Sequence, residues 1–236
     1  MRLLPALLAA AVLAGCTVST GPAPQPSSSP PQSSASGRLP ASQAAANFRS
    51  VVQRMEPVSE RICRQERPNA NCDFRVVVDD RRDVPPNAFQ TLDENGRPII
   101  GFTIRLIEDA RNADELAFVF AHEAAHHIKA HIPKTQENAV GGAIVGSVLA
   151  GILGANDAAV QQAQRIGGTV GARTYSKEFE LEADAFGTVI AHRAGYDPVR
   201  GAEFFNRIPD PGDRFLGTHP PNAERIATVR RVASQL

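Results

Sequence analysis

Apolar residues crowd positions 3–13, thin out through a stretch of Pro, Ser, Gly and Gln, and then return with regular spacing. Phe48, Val51, Val52 and Met55 recur three and four residues apart, which predicts a helix over residues 43–64. Residues 74–78 and the run from Pro98 to Ile107 carry β-branched and aromatic side chains and predict two strands. Pro85-Pro86-Asn87 makes a break between them, and Asn95-Gly96 is a hairpin turn signal. A helix should follow, begun by Asn112 with Glu115 three residues on in the capping-box pattern. It continues through Leu116, Phe118, Val119 and Phe120 to about residue 131, ahead of Pro133. Residues 140–155 are apolar, uncharged and glycine-rich, which suits a close-packed internal helix pair, a flap over a cleft or a membrane-contacting hairpin. Further helices are predicted over residues 157–174, 177–194, 199–208 and 222–235, with a loop at 209–221. Many helices and few strands predict an α+β, mostly α, fold in which a small edge sheet packs on helices.

Composition removes some function classes. The chain has 25 basic and 25 acidic residues, a formal net charge of zero and no long basic run, which argues against nucleic acid as the main partner. The first residues read as an export signal: Met1-Arg2 is positive, and the apolar stretch behind it is too short to span a membrane. Leu13-Ala14-Gly15-Cys16 resembles the lipobox of bacterial lipoproteins. That resemblance implies a signal peptide over residues 1–15 and a lipid on Cys16, which holds the protein on a membrane. The alternative is an ordinary signal peptide with a chance cysteine. Thr17 follows the cysteine, with no Asp of the kind that retains lipoproteins in the inner membrane, so the resemblance favours the periplasmic face of the outer membrane. Residues 16–42 then form a tether, and 43–236 the folded domain. Cys63 and Cys72 remain as a pair, expected to form a disulfide in an oxidising compartment. A zinc site on these two is the weaker reading, because no His or second Cys pair lies nearby.

The chemistry sits in His122-Glu123-Ala124-Ala125-His126, an H-E-x-x-H pattern inside a predicted helix. Residues four apart share a helix face, so both imidazoles can aim at one metal ion. Glu123 lies about 100° round, where a carboxylate can take a proton from water. A third ligand is needed, and Glu178, Glu180, Glu182 and Asp184 are the candidates. Glu180 and Asp184 share a face with Gly187 and Ala191, small residues that allow close approach to another helix. Glu178, Glu182 and Arg193 point roughly the other way and read as solvated. Glu180 is therefore the expected third ligand, and Asp184 the partner that accepts a ligand histidine's free N–H. His127 and His131 fall about 140° and 180° from His122 on a continuous helix and read as surface or packing residues. His219, in a Pro-stiffened loop, is the best candidate for stabilising an oxyanion; it can equally reach the zinc at rest or be structural. Arg173 and Tyr175 are weaker donors.

H-E-x-x-H followed by Glu180-Leu181-Glu182-Ala183-Asp184 resembles the zinc metallopeptidases of the HtpX and CAAX-prenyl-protease type, a gluzincin family. Asn87-Ala88-Phe89, residues 194–198, and Thr218-His219-Pro220-Pro221 ahead of Arg225-Ile226 are similar to the family as well. The likeness covers residues 43–236 and is nearer to soluble periplasmic lipoprotein members than to HtpX itself. It implies a zincin-like fold, one zinc ion per chain, and a zinc-dependent endopeptidase that cuts misfolded periplasmic or outer-membrane proteins in quality control. Its implied partners are unfolded or misassembled polypeptides and the outer-membrane assembly machinery. One departure is local: residues 95–105 lack the family's clean N-G-x-I-x-V strand. A chaperone lipoprotein with only structural zinc, and a zinc amidase acting on cell wall, are the competing classes.

Overall fold

A computed structural model of the chain describes residues 39–174, 176–212 and 219–236. The signal peptide, Cys16 and most of the expected tether lie outside the described residues, as do Tyr175 and Thr218. The first helix, α1, spans Ala41–Glu66, two residues earlier than the apolar pattern marked. It buries Val51, Met55, Ile62 and Cys63 on one face, the three- and four-residue spacing that made it legible.

Three short strands follow: β1 (Arg75–Asp79), β2 (Ala88–Leu92) and β3 (Pro98–Thr103). The sheet order is β1-β3-β2, with β1 parallel and β2 antiparallel to β3. The Asn95-Gly96 turn joins β2 to β3, and Gly96 takes φ +74°, a value glycine adopts without steric cost. β3 is central and nearly all buried, which is why its sequence is a continuous apolar run. β2 was not expected. Its residues Ala-Phe-Gln-Thr-Leu lack an alternating apolar pattern, and none of them is fully buried. The expected strand through Ile107 ends early. The Thr103 hydroxyl accepts a hydrogen bond from the Leu106 N–H and starts a short helix, α2 (Ile104–Asp109).

Helix α3 (Ala113–Ile128) begins as predicted, with the Asn112 side chain accepting from the Glu115 N–H. Glu115 closes a variant of the capping box: its carboxylate accepts from the Arg111 N–H and pairs with Arg207 in the core. The helix does not run on to residue 131. Ala130 takes a left-handed conformation (φ 59°), and α4 (His131–Ile152) starts afresh, with Pro133 in its first turn, where a missing N–H costs no hydrogen bond.

Helix α4 pairs with α5 (Asp157–Thr174) in a long hairpin. The close-packed pair expected for residues 140–155 is observed, but it is not internal. A Cβ on Gly142 would lie 2.1 Å from the Gly167 carbonyl oxygen, and one on Gly146 would lie 2.3 Å from that of Ala163. The glycines thus face inward, while Ile144, Val148, Leu149, Ile152 and Leu153 are exposed. No helix among the described residues is long and apolar enough to cross a membrane.

Helix α6 (Ser176–Arg193) returns to pack along α3. A short α7 (Pro198–Gly201), capped by Asp197, leads into a 3₁₀ turn (Ala202–Asn206), and α8 (Asn222–Ala233) closes the fold. The α3–α6 contact positions the H-E-x-x-H and Glu180–Asp184 motifs against each other, and Gly187 is a point of close approach. A Cβ there would sit 3.0 Å from the His122 backbone nitrogen and 3.2 Å from the Ala121 carbonyl carbon. Gly187→Ala is expected to destabilise the domain by about 1–3 kcal/mol, since backbone cannot move aside as a side chain can. Urea denaturation checks this; an unshifted midpoint would show that α6 is free to slide.

Candidate metal centre and its cleft

The H-E-x-x-H helix needs a straight α3 to put His122 and His126 on one face, and Asn112 at one end and Ala130 at the other define that helix. The two Nε2 atoms lie 3.0 Å apart. Glu180, from α6, brings Oε2 to 3.6 Å from His122 Nε2 and Oε1 to 3.3 Å from His126 Nε2. These are the residues among those described whose ligand atoms cluster within 4.8 Å. Metal–ligand bonds of about 2.0–2.1 Å in a tetrahedron give edges of about 3.3–3.4 Å, and the three distances straddle that value. Two imidazoles and a carboxylate are also the donor set of catalytic zinc sites. The residues present therefore fit a zinc ion.

Asp184 stands behind His122, with its Oδ1 2.9 Å from His122 Nδ1. An unexpected residue completes this layer. Arg225, from α8, donates to Asp184 through Nε and Nη2, both at 2.7 Å, and lies over the Phe205 ring at 4.0 Å. In the sequence Arg225 is one of several arginines on an amphipathic terminal helix, marked out only by its place after Pro220-Pro221.

His131 packs, one of the two roles expected of it, but its direction departs from expectation, as does the setting of Glu182. His131 is buried, with Nδ1 2.8 Å from His126 Nδ1 and Nε2 3.1 Å from Glu182 Oε2. The expected 180° offset assumed one unbroken helix, and the left-handed Ala130 resets the direction. Glu182 is accordingly not simply solvated, whereas Glu178 and Arg193 are exposed. His127 packs edge-on against Phe74 and meets the Asn71 carbonyl at 2.8 Å. It thereby contacts the loop closed by a disulfide between Cys63 and Cys72, whose Arg67 donates to the His127 carbonyl oxygen. His219 brings Nδ1 to 3.1 Å from Glu180 Oε2 and is 55% exposed. Arg173 is exposed on α5.

The site attracts positive charge. Burial and Arg225 oppose protonation of His122, but Asp184 and Glu180 prevail and raise its pKa to about 10. Burial favours protonating Glu180, yet His122, His126 and His219 hold it well below the usual carboxylate range. Asp184 is lowered too, because Arg225 and His122 overcome its burial. Glu123 goes the other way. Burial raises its pKa, and His122 and His126 oppose this only in part, which moves the carboxylate toward the range of a working general base.

His122, Glu123, His126, Glu180 and His219 line a cleft of about 1130 Å³, with Asp184 buried behind them. Asn87 and the start of β2, from Ala88 to Gln90, form one wall, and Phe179, Phe204 and Ile208 contribute apolar lining elsewhere. The cleft-facing β2 is an edge strand, paired with β3 on one side only.

Comparison with known proteins agrees with this geometry. The sequence profile of peptidase family M48 matches residues 45–233. A putative beta-barrel assembly-enhancing protease of Vibrio cholerae is 34% identical over 141 residues, covering 53% of this chain and 29% of the relative. The beta-barrel assembly-enhancing protease of Escherichia coli is 27% identical over 138 residues, covering 53% of this chain and 28% of the relative. The mitochondrial metalloendopeptidase OMA1 of Saccharomyces cerevisiae is 28% identical over 159 residues, covering 62% of this chain and 43% of the relative. The chain thus spans less than a third of the length of the two bacterial relatives.

Two outcomes follow from the electrostatics. With a pKa of about 10, His122 carries a proton at pH 7, so a dication binding at its Nε2 must displace that proton. Calorimetric titration of zinc into metal-free protein should show release of about one proton per chain, with affinity rising as pH rises. Binding heats independent of buffer ionisation enthalpy would contradict this. Asp184→Ala removes both 2.7 Å hydrogen bonds from a buried Arg225 and leaves it the longer 3.6 Å contact with Glu180; the Asp184 and Arg225 side chains are only 0% and 9% exposed. It should cost about 3–5 kcal/mol, read by chemical denaturation.

Proposed function

The chain belongs to peptidase family M48, and from that premise we propose that it is a zinc-dependent endopeptidase acting on unfolded or misassembled periplasmic and outer-membrane proteins. The convergence of His122, His126 and Glu180 beside Glu123, in a cleft walled by a sheet edge, carries this reading. His122, His126 and Glu180 are the residues that would hold the metal. Zinc held there supplies a Lewis acid that polarises the scissile carbonyl and makes water more acidic.

The chain's own residues do the rest. Glu123 takes the proton of the attacking water and passes it to the leaving amine. Asp184 accepts the His122 Nδ1–H, which leaves Nε2 with its lone pair toward the metal. Arg225 neutralises Asp184 and fixes it in place. His219, whose Nδ1 lies 3.1 Å from Glu180 Oε2, is the proposed donor to the oxyanion. The free edge of β2 offers main-chain hydrogen bonds to an extended peptide, and the apolar lining of the cleft suits side chains that unfolded proteins expose.

The setting is proposed on other grounds. The lipobox-like Leu13-Ala14-Gly15-Cys16 supports a lipid on Cys16 and attachment at the periplasmic face of the outer membrane. The names of the bacterial relatives tie them to β-barrel assembly, which supports the same assembly machinery as a partner here. The outward aliphatic surface of the α4–α5 hairpin is in keeping with a place near a membrane.

Casein cleavage by zinc-loaded protein tests the reading against Glu123→Gln. The variant should keep zinc and lose at least roughly 10²-fold in rate. Equal cleavage by both would remove the mechanism. A deletion strain rescued by Glu123→Gln would point to a chaperone instead.

A further inference from the structure

His126 has a support of its own, separate from the Asp184–Arg225 pair that serves His122. We propose that His131 and Glu182 form a positioning pair that sets the tautomer and ring orientation of His126. The inference rests on the metal-site reading above.

The hydrogen-bond inventory argues for it. An ionised Glu182 can only accept, so its Oε2, 3.1 Å from His131 Nε2, requires a hydrogen on that nitrogen. Lys134, 3.9 Å from the same oxygen, keeps the carboxylate in cationic company. A neutral His131 with its hydrogen on Nε2 has a lone pair on Nδ1. That lone pair lies 2.8 Å from His126 Nδ1, which must then be the donor. With a metal bound, His126 Nε2 then carries no hydrogen, and it is the atom that faces His122 Nε2 and Glu180. The chain of bonds has one consistent direction, from His126 through His131 to Glu182.

Packing holds the relay in place. His131 is 3% exposed and stacks on Phe179, ring centroids 4.6 Å apart and planes 12° apart. Its ring meets that of His126 at 77° with centroids 4.9 Å apart, an edge arrangement that accompanies the 2.8 Å contact between the two Nδ1 atoms. The two ligand histidines thus reach the same tautomer by different means. A carboxylate backs one directly, and a carboxylate acting through a second imidazole backs the other.

The test uses the full purified chain with zinc as the probe, affinity being read by competition with a chromophoric chelator. His131→Phe keeps the stack on Phe179 and removes the acceptor. It should weaken zinc binding by about 10- to 100-fold. His131→Gln, which restores an acceptor oxygen, should recover part of that loss. The melting temperature of the metal-free His131→Phe protein should stay near that of the wild type, which a merely structural role would not allow. Zinc-loaded wild type gives a check free of any folding defect: long-range proton–nitrogen NMR correlations should place hydrogens on His126 Nδ1 and His131 Nε2. A hydrogen on His131 Nδ1, or undiminished zinc affinity in His131→Phe, overturns the positioning role. Wild-type protein that binds no zinc, like Glu180→Gln as the control, overturns the metal-site reading itself and this one with it.

Discussion

Asp184 is the group on which both fold and site depend. It is fully buried, and three polar partners converge on its carboxylate: His122 Nδ1 and Arg225 Nη2 on one oxygen, and Arg225 Nε on the other. These contacts tie α3, α6 and α8 at one point. A buried carboxylate costs several kcal/mol unless it is paired and hydrogen-bonded, and here its needs are met only when all three helices are docked. The same condition orients a candidate metal ligand. The apolar core around it, with Phe118, Phe205, Ala183 and Ile190, excludes water and makes the pairing strong. Docking of the helices and correct placement of His122 are therefore one event.

Glu115 plays the parallel part at the other end of α3. It begins as half of a helix cap and ends as a buried partner of Arg207 on the chain beyond the 3₁₀ turn. A residue chosen for local capping thus also fixes the wall of the cleft, since Arg207 and Ile208 line it. Between these two anchors α3 has little freedom to rotate. That suits a helix whose face must hold two nitrogens 3.0 Å apart.

Periodic patterns made part of this legible in the sequence. Glu180 and Asp184 were separable from Glu178 because small residues share their helix face, and Gly187 shows the close approach to α3 that this face allows. Asn112 was readable because capping is a local hydrogen bond with strong residue preferences. What stayed hidden lacked a local signal. Ala130 carries no preference for a left-handed conformation, so nothing marked the break that turns His131 toward His126. Arg225 owes its role to a partner 41 residues away, and a helical arginine looks the same whether solvated or buried. The strand β2 escaped because none of its five residues is fully buried, so no core-facing set of alternate positions marks it.

The α4–α5 hairpin separates the two motifs in sequence without separating them in space. Its helices hold each other through backbone contact at Gly142, Gly146 and Gly167, with aliphatic side chains turned outward, so its packing owes little to the core. Accordingly α3 and α6 meet directly, as though the insert were absent. The insert's first residue is the exception. His131 opens α4 and is buried against His126, and Glu182 and Phe179 of α6 hold it there. The left-handed Ala130 thus does two things at once. It turns the chain away from α3 so that the hairpin can leave the body, and it leaves one imidazole behind at the site.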